Sequence, residues 1–144
     1  MIWKNNPTVE GLNAIQQGTI CSHLDIKFTE VGEDYLAASM PVDQRTKQPM
    51  GLLHGGASAV LAETLGSVAS VITFDDPTKQ SIVGIEINAN HLKSAKSGHV
   101  YGKVKPIRIG KKLHVWNIEI TDDVGHLVCV SRLTVMVIHL VTPK

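Results

Sequence analysis

The stretch GGASAVLAETLGSVASVIT, residues 55–73, decides the fold. Apolar or small residues recur in it at helical spacing (Ala57, Val60, Leu61, Leu65, Val68, Ala69 and Ile72), and no proline interrupts them. Glu63 is the only charged residue between His54 and Phe74. A helix so nearly uncharged all round has to be covered on most sides. Gly55 and Gly56 are poor helix formers, and their place at the helix start points to close backbone approach there.

Outward from this helix the pattern changes. Downstream, Asp75-Asp-Pro77 ends it. Val83, Ile85, Ile87 and Ala89 then alternate with polar residues, and further strands are expected at Val100–Ile107, Lys112–Ile120 and Leu127–Ile138. Asp122-Asp-Val-Gly125 supplies a hairpin turn. Upstream, Thr8–Gln17 reads as a short helix that Thr8 caps and Gly18 ends. Alternation at Leu24, Ile26 and Phe28 predicts a strand, Val31–Asp34 a turn, and Tyr35–Met40 a second strand. The loop 41–51 carries Arg45, Lys47 and Gln48. One long apolar helix beside about six strands is an α+β layout, and its natural cover is a strongly curved antiparallel sheet. No repeat or linker is visible, so residues 1–144 are read as a single domain.

The totals narrow the function classes. The 144 residues are 43% hydrophobic and 19% charged, with a net charge of +1, a soluble globular balance that does not favour nucleic acid. Seven of the fourteen Lys and Arg residues fall between Lys93 and Lys112 with no acid among them, which suits a small phosphorylated ligand. The apolar region from Leu52 to Phe74 contains His54, Glu63 and glycines, so a buried helix is expected rather than a membrane span. Cys21 and Cys129 are far apart, and the first residues lack a signal-peptide core; a cytoplasmic protein is expected. Seven histidines without ligand spacing predict no metal site. No G-x-S-x-G elbow is present.

Two features carry chemistry. On a helical wheel Gly56, Ala59, Glu63, Gly66, Ser67 and Ser70 share one small, polar face. Its bland reading is a solvated surface; its functional reading is a groove with Glu63 as general base or nucleophile. His54 is by itself a capping or core histidine. Beside it, the amides of Gly55 and Gly56 at the positive end of the helix dipole form a plausible oxyanion hole, to which Gln48 could add a donor. Nine steps from His54 to Glu63 amount to roughly 13 Å along the axis and a half-turn of remainder. The two therefore cannot serve one reacting carbon from the same helix, and two antiparallel helices related by a twofold axis would solve this.

The run QPMGLLHGGASAVLAE, residues 48–63, resembles the signature of hotdog thioesterases of the phenylacetate-pathway and 4-hydroxybenzoyl-CoA type. Met40-Pro-Val-Asp43, Arg45-Thr-Lys-Gln-Pro49, Gly84–His91 and Ser131-Arg-Leu-Thr134 extend the likeness over nearly the whole chain. They tie it most to the branch that hydrolyses 1,4-dihydroxy-2-naphthoyl-CoA in menaquinone biosynthesis and to the enterobactin-pathway proofreading enzymes. The resemblance implies a hotdog fold, hydrolysis of an aromatic acyl-CoA, no cofactor beyond the CoA of the substrate, and a homotetramer built as a dimer of dimers. It puts the catalytic carboxylate on Glu63, the carbonyl-polarising amide on Gly55 with His54 and Gln48 beside it, and a positioning hydroxyl on Ser67. It puts the CoA contacts on Gly84, on His91, Leu92, Lys93 and Ser94, and on Arg108, Ile109, Gly110, Lys111, Lys112 and Leu113. Thr64, Ser70 and the segment Phe74–Pro77 depart from that branch, which bears on the acyl preference. The competing readings are a proofreading or broad-range thioesterase, a hotdog dehydratase or hydratase, and a non-catalytic acyl-CoA sensor. Leu53-His-Gly-Gly56 lacks the prolines of the dehydratase pattern, and a sensor's DNA-binding extension has no room here.

Overall fold

The computed structural model describes residues 1–141. Its elements are α1 (Val9–Ala14), α2 (Ile20–His23), β1 (Lys27–Val31), β2 (Leu36–Pro41), α3 (Gly55–Val71), β3 (Gln80–His91), β4 (His99–Ile109), β5 (Leu113–Asp122) and β6 (Leu127–His139). The strands form one antiparallel sheet in the order β1-β2-β4-β5-β6-β3, wrapped around α3. This is the hotdog arrangement expected from the sequence.

Period-two alternation sets the inner surface of the sheet. Leu36, Ala38 and Met40 of β2, Val100 and Val104 of β4, Trp116, Ile118 and Ile120 of β5, and Leu133 and Val135 of β6 are all buried. They enclose Leu61, Ala62, Leu65 and Ala69 of α3. Each leucine buried this completely contributes about 1.5–3 kcal/mol. Two glycines let helix and sheet approach closely. A Cβ on Gly102 would stand 2.5 Å from Leu65 Cδ1, and one on Gly66 would stand 2.5 Å from Leu133 Cδ2. At the far end Trp116 donates its indole N–H to Ser70 Oγ at 2.7 Å, and Trp3 stacks on Trp116.

Several boundaries differ from the sequence reading. The first helix is Val9–Ala14, with Thr8 capping it through a 3.1 Å bond from Gly11 N–H. The alternation at Leu24 and Ile26 is not strand: a second short helix capped by Thr19 occupies Ile20–His23, Leu24 is its C-cap, and β1 starts at Lys27. Helix α3 stops at Val71, before the aspartates, where the Thr73 amide and hydroxyl both turn back to Ser70 O. The small polar face expected on α3 is divided. Gly66 and Ser70 lie under the sheet, Ala59 and Ser67 are half-buried, and Gly56 and Glu63 are exposed. The curved sheet wraps further around the helix than a wheel drawing shows.

Candidate active site

The loop before α3 is held by Thr46, whose buried hydroxyl donates to Pro41 O at 2.7 Å and whose carbonyl accepts from His54 N–H at 2.8 Å. This fixes His54 as the N-cap of α3, with extended backbone. Its Nδ1 accepts from Gly56 N–H at 2.7 Å, and its carbonyl accepts from Ala57 and Ser58 N–H. Histidine is thus a capping residue here, in the place where Ser or Asp is usual. These bonds occupy three of the four N-terminal donors that a helix leaves open. Gly55 N–H alone has no acceptor among the described residues, and it lies where the helix dipole favours negative charge.

Gly55 lines a cavity of about 380 Å³ together with Gln48, Ser58, His91, Lys93 and Ser94; Leu52, Leu53, Leu92 and Val128 complete it. The Gln48 side-chain oxygen accepts from Met50 N–H, which leaves its amide nitrogen as the group that can donate. The His91 ring covers Gly55 so closely that a Cβ there would meet Nε2 at 2.7 Å. Ser58 is a cavity residue that sequence reasoning misses. It is 1% exposed and lines the same cavity. Its position, one turn after Gly55 at a helix start marked by two glycines, is the available signal.

Glu63 is not in this cavity. It is exposed, two turns further along α3, and its Oε1 would be 3.2 Å from a Cβ built on Gly84. The pairing of β3 with β6 shifts register between Gly84 and Glu86, so a bulge sits beside the carboxylate. Gly84 therefore has a role that its place in the sequence does not suggest: it leaves room for Glu63. Ser67 follows Glu63 by one turn and is half-buried.

The basic run does not gather into one patch within the chain. Lys93 bonds to Asp122 Oδ2 at 2.9 Å and lies beside His126 Nδ1. The Lys93 ammonium, with backbone amides behind it, holds the Asp122 carboxyl well below the usual carboxylate range. Arg108, Lys111 and Lys112 sit instead at the β4–β5 hairpin, where Gly110 N–H donates to Leu113 O at 2.9 Å. Leu113 and Asp122 are opposite ends of β5, roughly 30 Å apart at strand rise. Next to the hairpin, His114 is buried against Phe74 and Trp116 with its Nδ1 unpartnered, and burial pushes its pKa below the ordinary histidine value. Among the described residues no cluster of His, Cys, Asp and Glu is placed to hold a metal, and no helix is long and apolar enough to cross a membrane.

Comparison with known proteins identifies the family. A family model described as the thioesterase superfamily matches residues 50–129. The chain is 53% identical to 1,4-dihydroxy-2-naphthoyl-CoA hydrolase of Escherichia coli, over 96% of this chain and 100% of that one. It is 50% identical to the proofreading thioesterase EntH of Cronobacter turicensis, over 95% and 97% of the two chains. The crystal structure of thioesterase HI1161 from Haemophilus influenzae superposes with a TM-score of 0.94 at 45% identity, over 99% of this chain and 98% of that one.

Proposed function

We propose, from the premise that this chain belongs to the thioesterase superfamily and is a thioester hydrolase, that it cleaves aromatic acyl-CoA such as 1,4-dihydroxy-2-naphthoyl-CoA. The observation that carries the reading is the unpaired N–H of Gly55, a helix N-terminal residue that lines a cavity together with Gln48 and Ser58. A thioester carbonyl oxygen accepting from this amide has its developing charge stabilised where the dipole favours it. Glu63, the one carboxylate of α3, supplies the base or the nucleophile. Water oxygen bonds to the acyl carbon, the carbon–sulfur bond breaks, and CoA leaves as the thiol.

Gly55 and Glu63 of one chain are eight residues apart, roughly 12 Å along the axis. The reading therefore takes Glu63 from a second copy across a twofold axis. The same pairing would bring Lys93 and Ser94 of one copy toward Arg108, Lys111 and Lys112 of another, so that both basic clusters serve one CoA. A tetramer made of two such dimers is part of the proposal, with no resident metal or cofactor. The 50% identity to a proofreading enzyme favours one second reading, hydrolysis of carrier-bound aryl groups by the same site.

Release of free thiol from naphthoyl-, benzoyl- and medium-chain acyl-CoA tests the assignment. The naphthoyl thioester is expected to show the highest kcat/KM. Turnover of enoyl or hydroxyacyl substrates without thiol release would replace hydrolysis by hydration. A single turnover in labelled water separates the two roles of Glu63, since direct attack places the label first in the enzyme carboxylate.

A further inference from the structure

Lys93, Asp122 and His126 meet at the turn between β5 and β6. Lys93 follows the end of β3, where the backbone N–H groups of Leu92 and Lys93 both donate to Val128 O, at 2.8 and 3.3 Å. Lys93 and Val128 also line the cavity that Gly55 lines. The Lys93 ammonium donates to Asp122 Oδ2 at 2.9 Å and to His126 Nδ1 at 2.6 Å. An ammonium has three N–H donors and no lone pair, so His126 Nδ1 accepts and its ring proton sits on Nε2. Two of the three donors are taken, and the third has no acceptor among the described residues.

The two oxygens of Asp122 do different things. Oδ1 accepts from Val124 N–H at 3.1 Å and from His126 N–H at 2.9 Å, which builds the turn. The backbone closes the same turn, with Asp122 N–H on His126 O at 3.0 Å and Gly125 N–H on Asp122 O at 3.0 Å. Oδ2 is left for Lys93. The neighbouring Asp123 does not compete for the lysine, because its carboxylate accepts from His99 N–H at 3.0 Å and from the Tyr101 hydroxyl at 2.9 Å. The Asp122 side chain is 18% exposed, the least of any acid in an ion pair among the described residues, so this pair is the most sheltered from solvent screening.

We infer that Asp122 and His126 are positioning residues for substrate binding: they hold the Lys93 ammonium at the cavity wall with one N–H left for a phosphate oxygen of CoA. The inference rests on the proposed hydrolysis of CoA thioesters and deepens it by assigning the turn that organises one of its cations. A free lysine loses much rotamer freedom when it meets a ligand, and holding it beforehand removes that cost from binding. Neither Asp122 nor His126 touches the substrate; both act through Lys93. Asp122→Asn separates holding from folding. An amide oxygen keeps the two turn bonds of Oδ1, and the amide nitrogen then replaces Oδ2. That nitrogen repels the ammonium and takes His126 Nδ1, which lies 3.2 Å from Oδ2, as its own acceptor. Lys93 loses both partners by one change.

The test is kcat and KM for one aromatic acyl group carried on CoA and on pantetheine, in the wild type, Lys93→Met, Asp122→Asn and the double variant. Lys93→Met is expected to raise KM for the CoA thioester by about tenfold, as loss of a charged hydrogen bond does. Asp122→Asn is expected to raise it by about fivefold, the upper range for a pair near the surface, with kcat and the pantetheine thioester unchanged. On top of Lys93→Met it is expected to add nothing. His126→Ala, where the side chain is 61% exposed, keeps the experiment interpretable if Asp122→Asn folds poorly, and is expected to raise KM by about twofold only while Lys93 is present. No rise in KM, equal effects on both substrates, or a full Asp122→Asn effect in the Lys93→Met background would overturn the assignment. Calorimetric titration with free CoA repeats the comparison without turnover. The same pattern of losses in a protein that releases thiol from no thioester would overturn the proposed function and leave the positioning of Lys93 standing.

Discussion

The two sides of α3 differ in what finishes them. The side carrying Leu61, Ala62, Leu65 and Ala69 is closed by the chain's own sheet, down to the bond from Trp116 to Ser70. The side carrying Val60, Glu63, Ser67 and Val71 is half-open, and Glu63 is the one charged residue among the seventeen of α3. Elementary burial energetics would cover Val60 and Val71 or make them polar. Doing neither is a local inconsistency of the kind that functional sites show. The comparison divides the helix into a face that holds the fold and a face that the proposed function gives to substrate and a second copy.

The largest effect expected from breaking this division is on the open face. Glu63→Gln should fold with an unchanged melting temperature and lose about two to four orders of magnitude in kcat. Near-wild-type turnover would remove Glu63 from the chemistry. On the closed face, Leu65→Ala should do the reverse. It deletes a fully buried side chain packed on Gly102, so it should cost about 2–5 kcal/mol by denaturant unfolding while the folded fraction turns over normally. If both substitutions hurt stability equally, the two-face description is wrong.

Smaller effects sharpen the outskirts. Lys111→Ala should raise KM for CoA thioesters by about tenfold and leave a pantetheine thioester, which lacks the nucleotide phosphates, nearly untouched. Equal effects on both would return the hairpin to a solvated surface. His114→Phe probes the closed side by pH. Burial lowers the His114 pKa in the folded state, so the unfolded chain takes up its proton first. Stability should accordingly fall as pH drops below the ordinary value of about 6.5. Phe removes both the proton and the unpartnered Nδ1, so the melting temperature of the variant should fall less between neutral pH and mildly acid pH. Identical pH profiles would assign the acid sensitivity elsewhere.

Much of the fold is legible in the residues themselves. The helix 55–71 and the four long strands after it follow from periodicity; period and burial agree in β5 and β6, whereas in β3 the alternating Val83 and Ile85 are exposed. The helix Ile20–His23 is hidden because four residues carry no period, and its flanking leucine and isoleucine mimic alternation. Sheet order is a long-range property. It places Gly84 beside Glu63, while the length of β4 separates Lys93 from Arg108 within the basic run. The candidate oxyanion donor is half-legible. Two glycines after a histidine mark the place, but only the bond from Gly56 N–H to His54 Nδ1 distinguishes the occupied amide from the free one at Gly55.

The central claim, one site made from the Gly55 amide of one copy and the Glu63 carboxylate of another, is tested most directly by mixing two dead variants. Glu63→Gln removes the carboxylate. Gly55→Pro removes the free N–H at the first helical position, where the backbone accepts proline because His54 is already extended, and its ring displaces the His91 side chain, which a Cβ there would meet at 2.7 Å. Each variant alone should be inactive. Unfolded together and reassembled, random pairing makes half the dimers mixed with one intact site in each, so activity should return to about a quarter of the wild-type value. A reassembled mixture that forms mixed dimers and stays inactive would contradict the shared site.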